Sequence, residues 1–229
     1  MSAHPIIEVK SCRFSYEDAL EDAVHIDHLS LQPSRHLFIK GRSGSGKSTF
    51  LNLLCGVLEP DEGMINVLNA PFSSRSNAEK DRIRADHYGI IFQQFNLLAH
   101  LSVKENIALG CSFSERKKAR VSDMDATIKE LSQKLDLPLS LLSKPAMSLS
   151  VGQQQRVAVA RALIGKPEII IADEPTSALD SETREDFMRL LFEQVDAQQS
   201  TLIFVSHDAS LAARFSQVVS FEKLNQAKR

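Results

Sequence analysis

What the 229-residue chain lacks narrows its class first. It has three cysteines, Cys12, Cys55 and Cys111, and no C-x-x-C spacing among them. That argues against a disulfide or zinc framework and for a reducing compartment. Cys55 continues an apolar run and reads as core. No apolar stretch approaches the ~20 residues needed to span a bilayer, and the opening MSAHPIIEVK has no apolar h-region of a signal peptide. A soluble, cytoplasmic chain is expected, with a membrane partner left open. Neither sign of charge dominates: the net charge is −2 with Lys and Arg spread along the chain, so no nucleic-acid surface is expected. The densest basic run, Arg116, Lys117, Lys118 and Arg120, is expected to be a solvated helix face. Of seven scattered histidines only His207 suggests a site.

What the chain does have is centred on Gly41 to Thr49, GRSGSGKST, between the apolar Leu37 Phe38 Ile39 and a helix-like run from Phe50 to Leu54. Strand, Gly-rich turn and helix is the context the G-x-x-x-x-G-K-[ST] pattern requires. Gly41, Gly44 and Gly46 let the backbone curl and aim successive N–H groups at one point. The helix that follows adds unpaired N–H groups and a positive dipole end, which favour phosphate. Lys47 reaches β- and γ-phosphates, and the Ser48 hydroxyl suits Mg²⁺. Arg42, Ser43, Ser45 and Thr49 complete the loop. A flexible Ser/Gly turn is the plain alternative, but the full pattern arises by chance in roughly one per cent of chains this long.

Strand and helix signals alternate along the rest. Residues 6–16, Val24 to Leu31, Met64 to Leu68 and Tyr88 to Phe92 read as strands, and 71–87 as a loop and an exposed helix. Met124, Ile128, Leu131 and Leu135 recur on one helix face. Val157, Ala160 and Ile164 line a helix that stops at Gly165 and Pro167. The continuous run Ile169 to Ala172 suits a central parallel strand, and Leu202 to Val205 a second buried one. This alternation predicts an α/β fold, a mostly parallel sheet covered on both faces, with an all-helical insertion between about 95 and 160.

In such sheets ligands collect at the carboxyl ends of the strands. Asp173 and Glu174 directly follow the run 169–172; adjacent carboxylates there are costly unless paired. Mg²⁺ supplies that pairing for Asp173, and Glu174 then polarises a water aimed at the γ-phosphate. Two helix-capping carboxylates are the plain alternative. His207 ends the 202–205 run and suits a hydrogen bond to the γ-phosphate. Gln93, after the 88–92 strand, suits both metal and water. Tyr16 either packs on a neighbour or stacks on a nucleotide base.

Together GRSGSGKST, FQ at 92–93, LSVGQQQRVAVARAL at 149–163, IIIADEP at 169–175, SALD at 177–180 and SH at 206–207 resemble, in order and spacing, the ATP-binding-cassette ATPases. The resemblance covers nearly the whole chain, and the signature run at 149–163 is its most specific part. It implies one nucleotide-binding domain over 1–229: a phosphate-loop, RecA-like core (1–92 and 162–229) with an antiparallel N-terminal β part and a helical subdomain over about 93–161. It implies that Tyr16 stacks on adenine and that Gln93 links the γ-phosphate site to the helical part. Ser48, Gln93 and Asp173 would ligate Mg²⁺, Glu174 would be the catalytic base and His207 the switch histidine. Ser150, Gly152 and Gln153 would bind the γ-phosphate of ATP held by an opposite subunit, and Asp180 would cross the dimer interface. Ser150 also reads from the residues as a helix start, a natural anion site.

Two positions depart from the family pattern. Val151 stands where the family usually has glycine, which would be strained if that site required φ > 0. Arg35-His36 replaces the usual Gly-Glu pair. The run YGIIFQQFNLLAHLSVKENIAL is similar to ATPases of the lipoprotein-releasing, macrolide-efflux and cell-division type. The resemblance therefore implies a homodimer that binds and hydrolyses ATP and drives a membrane permease from the inner face of the cell membrane. The alternatives are a soluble non-transport ATPase of the family and a nucleotide-binding module without turnover.

Overall fold

The computed structural model describes residues 4–17 and 19–227. Along the chain run β1 (Ile7–Phe14), β2 (Val24–Leu31), β3 (Leu37–Lys40), α1 (Lys47–Leu54), β4 (Glu62–Val67), β5 (Ala70–Pro71), α2 (Asn77–His87) and β6 (Tyr88–Ile91). Then come α3 (Val103–Ser112), α4 (Glu115–Ala119), α5 (Met124–Lys134), α6 (Val151–Leu163), β7 (Ile169–Asp173), α7 (Ser181–Ala197), β8 (Thr201–Ser206), β9 (Gln217–Ser220) and α8 (Phe221–Leu224). They form two compact units, one from Met1–Arg82 with Ile203–Arg229, the other from Ile83–Leu202.

The first unit contains a four-stranded antiparallel sheet in the order β2-β1-β4-β5. In β1 the buried positions change phase, from Ile7 and Val9 to Cys12 and Phe14. The register against β4 slips between Lys10 and Arg13, and Ser11 takes φ 46° there. One extra residue in a strand flips every later side chain to the other face, which is why alternation alone does not describe this strand. Strand β3 pairs in parallel with β8 on one side and β9 on the other. Phe38, Phe204 and Phe215 cluster with ring centroids 5.1 to 6.1 Å apart.

Helix α2 departs from the exposed helix expected over 71–87: Lys80 is fully buried, its ammonium on the Glu59 carboxylate. An ammonium is tolerated in such a place only when paired, and Glu59 lies 21 residues away in sequence.

In the second unit β6 and β7 pair in parallel, and β7 is buried from Ile169 to Ala172. Helix α6 is more deeply set than a one-face stripe implies, with Val157, Ala158, Val159, Ala160, Ala162 and Leu163 all buried. Two glycines permit this. A Cβ on Gly89 would lie 2.1 Å from the Ala162 carbonyl, and one on Gly110 would lie 2.1 Å from that of Arg161. Ile128, Leu131 and Leu135 of the predicted stripe are buried, while Met124 is half-buried.

The basic run is only partly the solvated face expected: Arg116, Lys118 and Arg120 are exposed, but Lys117 is buried and the two arginines are tied down. Arg116 and Arg120 donate to Glu168 at 2.7 and 2.6 Å, joined by His87 at 2.9 Å. Lys117 is buried and donates to the Tyr88 carbonyl at 2.7 Å. Burial pushes the Glu168 carboxyl up, but hydrogen bonds from His87, Arg116 and Arg120 outweigh it and hold the group well below the usual carboxylate range. Its folded-state value is depressed, so its stabilising contribution is complete above the unfolded value near 4.5 and is lost as pH falls. The run thus anchors α4 to the start of β6 and to the residue before β7.

Candidate active site

In the first unit the parallel register sets Lys40 opposite both Ser206 and Ser220. The chain therefore leaves β3 and β8 at one sheet edge, into the phosphate loop and into His207, which is exposed. Within the loop the Lys47 ammonium donates to the carbonyls of Gly41 (2.9 Å) and Arg42 (2.7 Å) and is buried. The side chain thus folds back along the turn it follows and braces it. The Arg42 N–H donates to the Glu222 carboxylate at 2.7 Å, the main reason that carboxyl lies below its ordinary value.

Helix α1 begins at Lys47, three residues before the Phe50 expected. Its N-cap is Gly46 at φ 98°, with no side-chain cap and no acidic residue in the first turn. The N-cap itself therefore supplies no capping side chain, the kind of helix start that suits an anion. Two observations fit a phosphate guest. Ser45 is 2% exposed and its Oγ has no hydrogen-bond partner. A Cβ built on Gly44, at φ 74°, would meet no atom within 4 Å, so the loop is open on that side. Ser43 and Ser48 are exposed and Thr49 is half-buried.

Tyr16, 49% exposed, stands edge-on to Phe14 with centroids 5.0 Å apart, and its hydroxyl bonds Thr49 Oγ1 at 3.0 Å. It packs on a neighbour and still presents ring surface, while its hydroxyl ties it to the second residue past Lys47. The Arg35-His36 departure costs little here. His36 is buried, and its backbone N–H and carbonyl both bond Ser216 Oγ at 3.1 Å.

The second unit holds the other predicted groups. Ile91 pairs with Ala172, so Gln93 and the Asp173-Glu174 pair leave β6 and β7 at one edge. Asp173 closes β7 and is half-buried. Glu174, also half-buried, takes φ 43°, a left-handed conformation unusual for a residue with a side chain and more so before proline. Neither carboxylate is the N-cap of α7: Asp180 fills that role, accepting from the Thr183 N–H and Oγ1 at 2.9 Å each, and those bonds lower its pKa.

Ser150 caps α6, and the match to the sequence expectation is close. Its Oγ accepts from the Gln153 N–H at 3.4 Å while Gln153 Oε1 accepts from the Ser150 N–H at 3.1 Å, a capping box. Val151 is the first helical residue and is not among those with positive φ, so the strain considered for it is absent. A Cβ on Gly152 would meet only Thr183 Cγ2, at 3.7 Å, so the starts of α6 and α7 are neighbours.

Three ties escaped the sequence reading. Asn106, fully buried, donates to the carbonyls of Leu98, Leu101 and Ser102 and accepts from the Leu98 N–H. Arg161 donates to the carbonyls of Phe95 (2.5 Å) and Asn96 (2.7 Å), both at positive φ. These hold the loop that follows Gln93. Gln155 donates to the Pro175 carbonyl at 2.7 Å, beside Glu174. Gln155 and Arg161 lie inside the signature run, but nothing in their spacing reveals what they hold.

Comparison with known proteins identifies the family. The profile of the family described as ABC transporter matches residues 24–177. The uncharacterized ABC transporter ATP-binding protein MJ0796 of Methanocaldococcus jannaschii is 37% identical over 202 residues, spanning 88% of this chain and 86% of its own. The lipoprotein-releasing system ATP-binding protein LolD of Saccharophagus degradans is 37% identical over 195 residues, 85% of this chain and 84% of LolD. The macrolide export ATP-binding/permease protein MacB of Campylobacter jejuni is 38% identical over 194 residues, 85% of this chain but 30% of MacB. A dimeric structure of MJ0796 in a post-hydrolysis state bound to ADP and Pi matches with a TM-score of 0.82 at 30% identity, covering 97% of this chain and 98% of that one. By its phosphate loop, its strand-end carboxylates and these relatives, the chain belongs to the ABC transporter family and is an ATP-binding, ATP-hydrolysing cassette of it.

Proposed function

We propose that two copies of this chain close around ATP and reopen on its hydrolysis, and that this cycle drives a membrane permease. The observation that carries the reading is the uncapped, glycine-opened start of α1 beside a braced Lys47. Lys47 and the loop N–H groups from Gly41 to Thr49 hold the phosphates, and Tyr16 offers its ring to adenine. Glu174 polarises the water that attacks the γ-phosphorus as the bond to ADP breaks. His207 donates to the γ-phosphate. Ser48, Gln93 and Asp173 offer hydroxyl, amide and carboxylate oxygens, the hard ligand set suited to Mg²⁺. An ion bound by these groups would offset phosphate charge.

Ser150, Gly152 and Gln153 at the start of α6, with Asp180 at the start of α7, face the partner copy's nucleotide. The dimeric form of MJ0796 supports that arrangement. Residues about 93–161 act as the helical subdomain that carries the permease contact. LolD is named as the ATP-binding protein of a lipoprotein-releasing system, and MacB joins an ATP-binding part and a permease in one protein. These names favour a permease partner over a soluble non-transport role. Among the described residues no helix is long and apolar enough to cross a membrane, so the permease is assigned to another chain or segment and the cassette to the cytoplasmic face of the membrane.

The deciding experiment is Glu174→Gln. Turnover is expected to fall by ~hundredfold or more, with ATP binding retained and a stable ATP-bound dimer seen by light scattering. A variant still monomeric at saturating ATP overturns the two-copy arrangement.

A further inference from the structure

Helix α6 begins at Ser150, and one turn in, at Gln155, it reaches the catalytic strand's exit. Gln155 is 1% exposed and its amide donates to the Pro175 carbonyl at 2.7 Å. Pro175 follows Glu174, whose backbone sits at φ 43° where a residue before proline is normally extended. Such a conformation persists only when its surroundings hold it. Because the proline ring locks φ, the Pro175 carbonyl is one free torsion away from the Glu174–Pro175 peptide. Fixing that carbonyl therefore fixes the plane from which the Glu174 side chain departs. The same turn is closed by the Ser177 N–H on the Glu174 carbonyl at 3.2 Å. Between Ser150 and Gln155 the backbone is helical and capped at its start, so a displacement of the Ser150 end moves the Gln155 amide with it.

We propose that Gln155 is a positioning residue that couples what binds at the Ser150 helix start to the placement of Glu174. It makes the occupancy of one nucleotide site felt at the base of the other. This rests on the roles given to Ser150 and Glu174 above. A buried amide used in this way has no part in contacting nucleotide.

The test uses the whole chain. Gln155→Met keeps the length and removes the donor. Its kcat is expected to fall about tenfold, the scale of one lost hydrogen bond that matters in the transition state. KM for ATP, and the ATP concentration that dimerises the Glu174→Gln background, should stay within about twofold of the parent. An unchanged kcat overturns the proposal. So does a fall in kcat matched by a rise in KM and a lower melting temperature, which marks a packing residue only.

Gln155→Glu adds a readout that packing does not move. A protonated carboxyl donates to the Pro175 carbonyl and a carboxylate does not, and burial raises the pKa of such a group. Its kcat relative to wild type should climb as pH is lowered from about 8 to about 6, while the Gln155→Met ratio stays flat. A flat ratio for Gln155→Glu overturns the proposal, and this profile decides alone if Gln155→Met does not fold. Full turnover in Glu174→Gln would remove the base assignment and this coupling with it. A trapped Glu174→Gln dimer beside wild-type kcat in Gln155→Met would overturn the coupling alone.

Discussion

The chain passes through the left-handed region at both corners to which the proposed chemistry is assigned, with opposite choices of residue. Before Lys47 the corner is Gly46 at φ 98°; after Asp173 it is Glu174 at φ 43°. At the phosphate loop the backbone itself does the binding, so a glycine stands there at little steric cost. A Cβ on Gly46 would also sit 2.9 Å from the Ala23 carbonyl. After β7 the proposed mechanism needs a side-chain carboxylate, which glycine cannot supply. The left-handed turn costs about 1–2 kcal/mol there, and neighbours hold it: the buried strand on one side, Gln155 on the Pro175 carbonyl on the other. Where backbone groups meet the ligand, residue type can serve the backbone. Where a side chain meets it, the fold must hold the backbone instead.

Substitutions at the two corners can break this contrast. The largest effect is expected for Lys47→Ala, which removes both the phosphate contact and the brace on the Gly41 and Arg42 carbonyls. Steady-state ATPase assays should show turnover abolished, and wild-type turnover would mean the loop is misassigned. Gly46→Ala comes next: positive φ and the close Ala23 carbonyl together should cost about 1–3 kcal/mol in denaturant unfolding. A stability equal to wild type would show that this corner tolerates a side chain. The smallest effect on stability is expected for Glu174→Gly. Relief of about 1–2 kcal/mol of strain is offset by about 0.5–1 kcal/mol of extra unfolded-state freedom, so unfolding should move by less than about 1 kcal/mol while turnover is lost. A loss of stability as large as that of Gly46→Ala would erase the difference between the corners.

The phosphate loop was legible because its chemistry is local: backbone N–H groups, a lysine and a hydroxyl need only glycine spacing and a strand before a helix. Ser150 as a helix start and the buried strand 169–172 were legible for the same reason, since capping and hydrophobic runs act over a few residues. Other features were not. The basic run of α4 is exposed as expected except at Lys117, and its ties were not legible because the partners, Glu168 and the Tyr88 carbonyl, are distant in sequence. Lys80 looked exposed because its partner Glu59 lies 21 residues away, in the loop between α1 and β4. In β1 the bulge at Ser11 broke an alternation that sequence alone would carry through.

Sequence by itself determined the alternation of strands and helices as far as β8, the glycine-rich turn between strand and helix, and the family, because each rests on short-range backbone geometry or on residues at set spacing. Tertiary structure alone decided which donors hold the loops after β6 and β7: Gln155 and Asn106, both buried, on Pro175 and on the 98–102 backbone, and the half-buried Arg161 on Phe95 and Asn96. A buried donor must find an acceptor, but which carbonyl it meets depends on how elements far apart in the chain pack, and no local pattern encodes that.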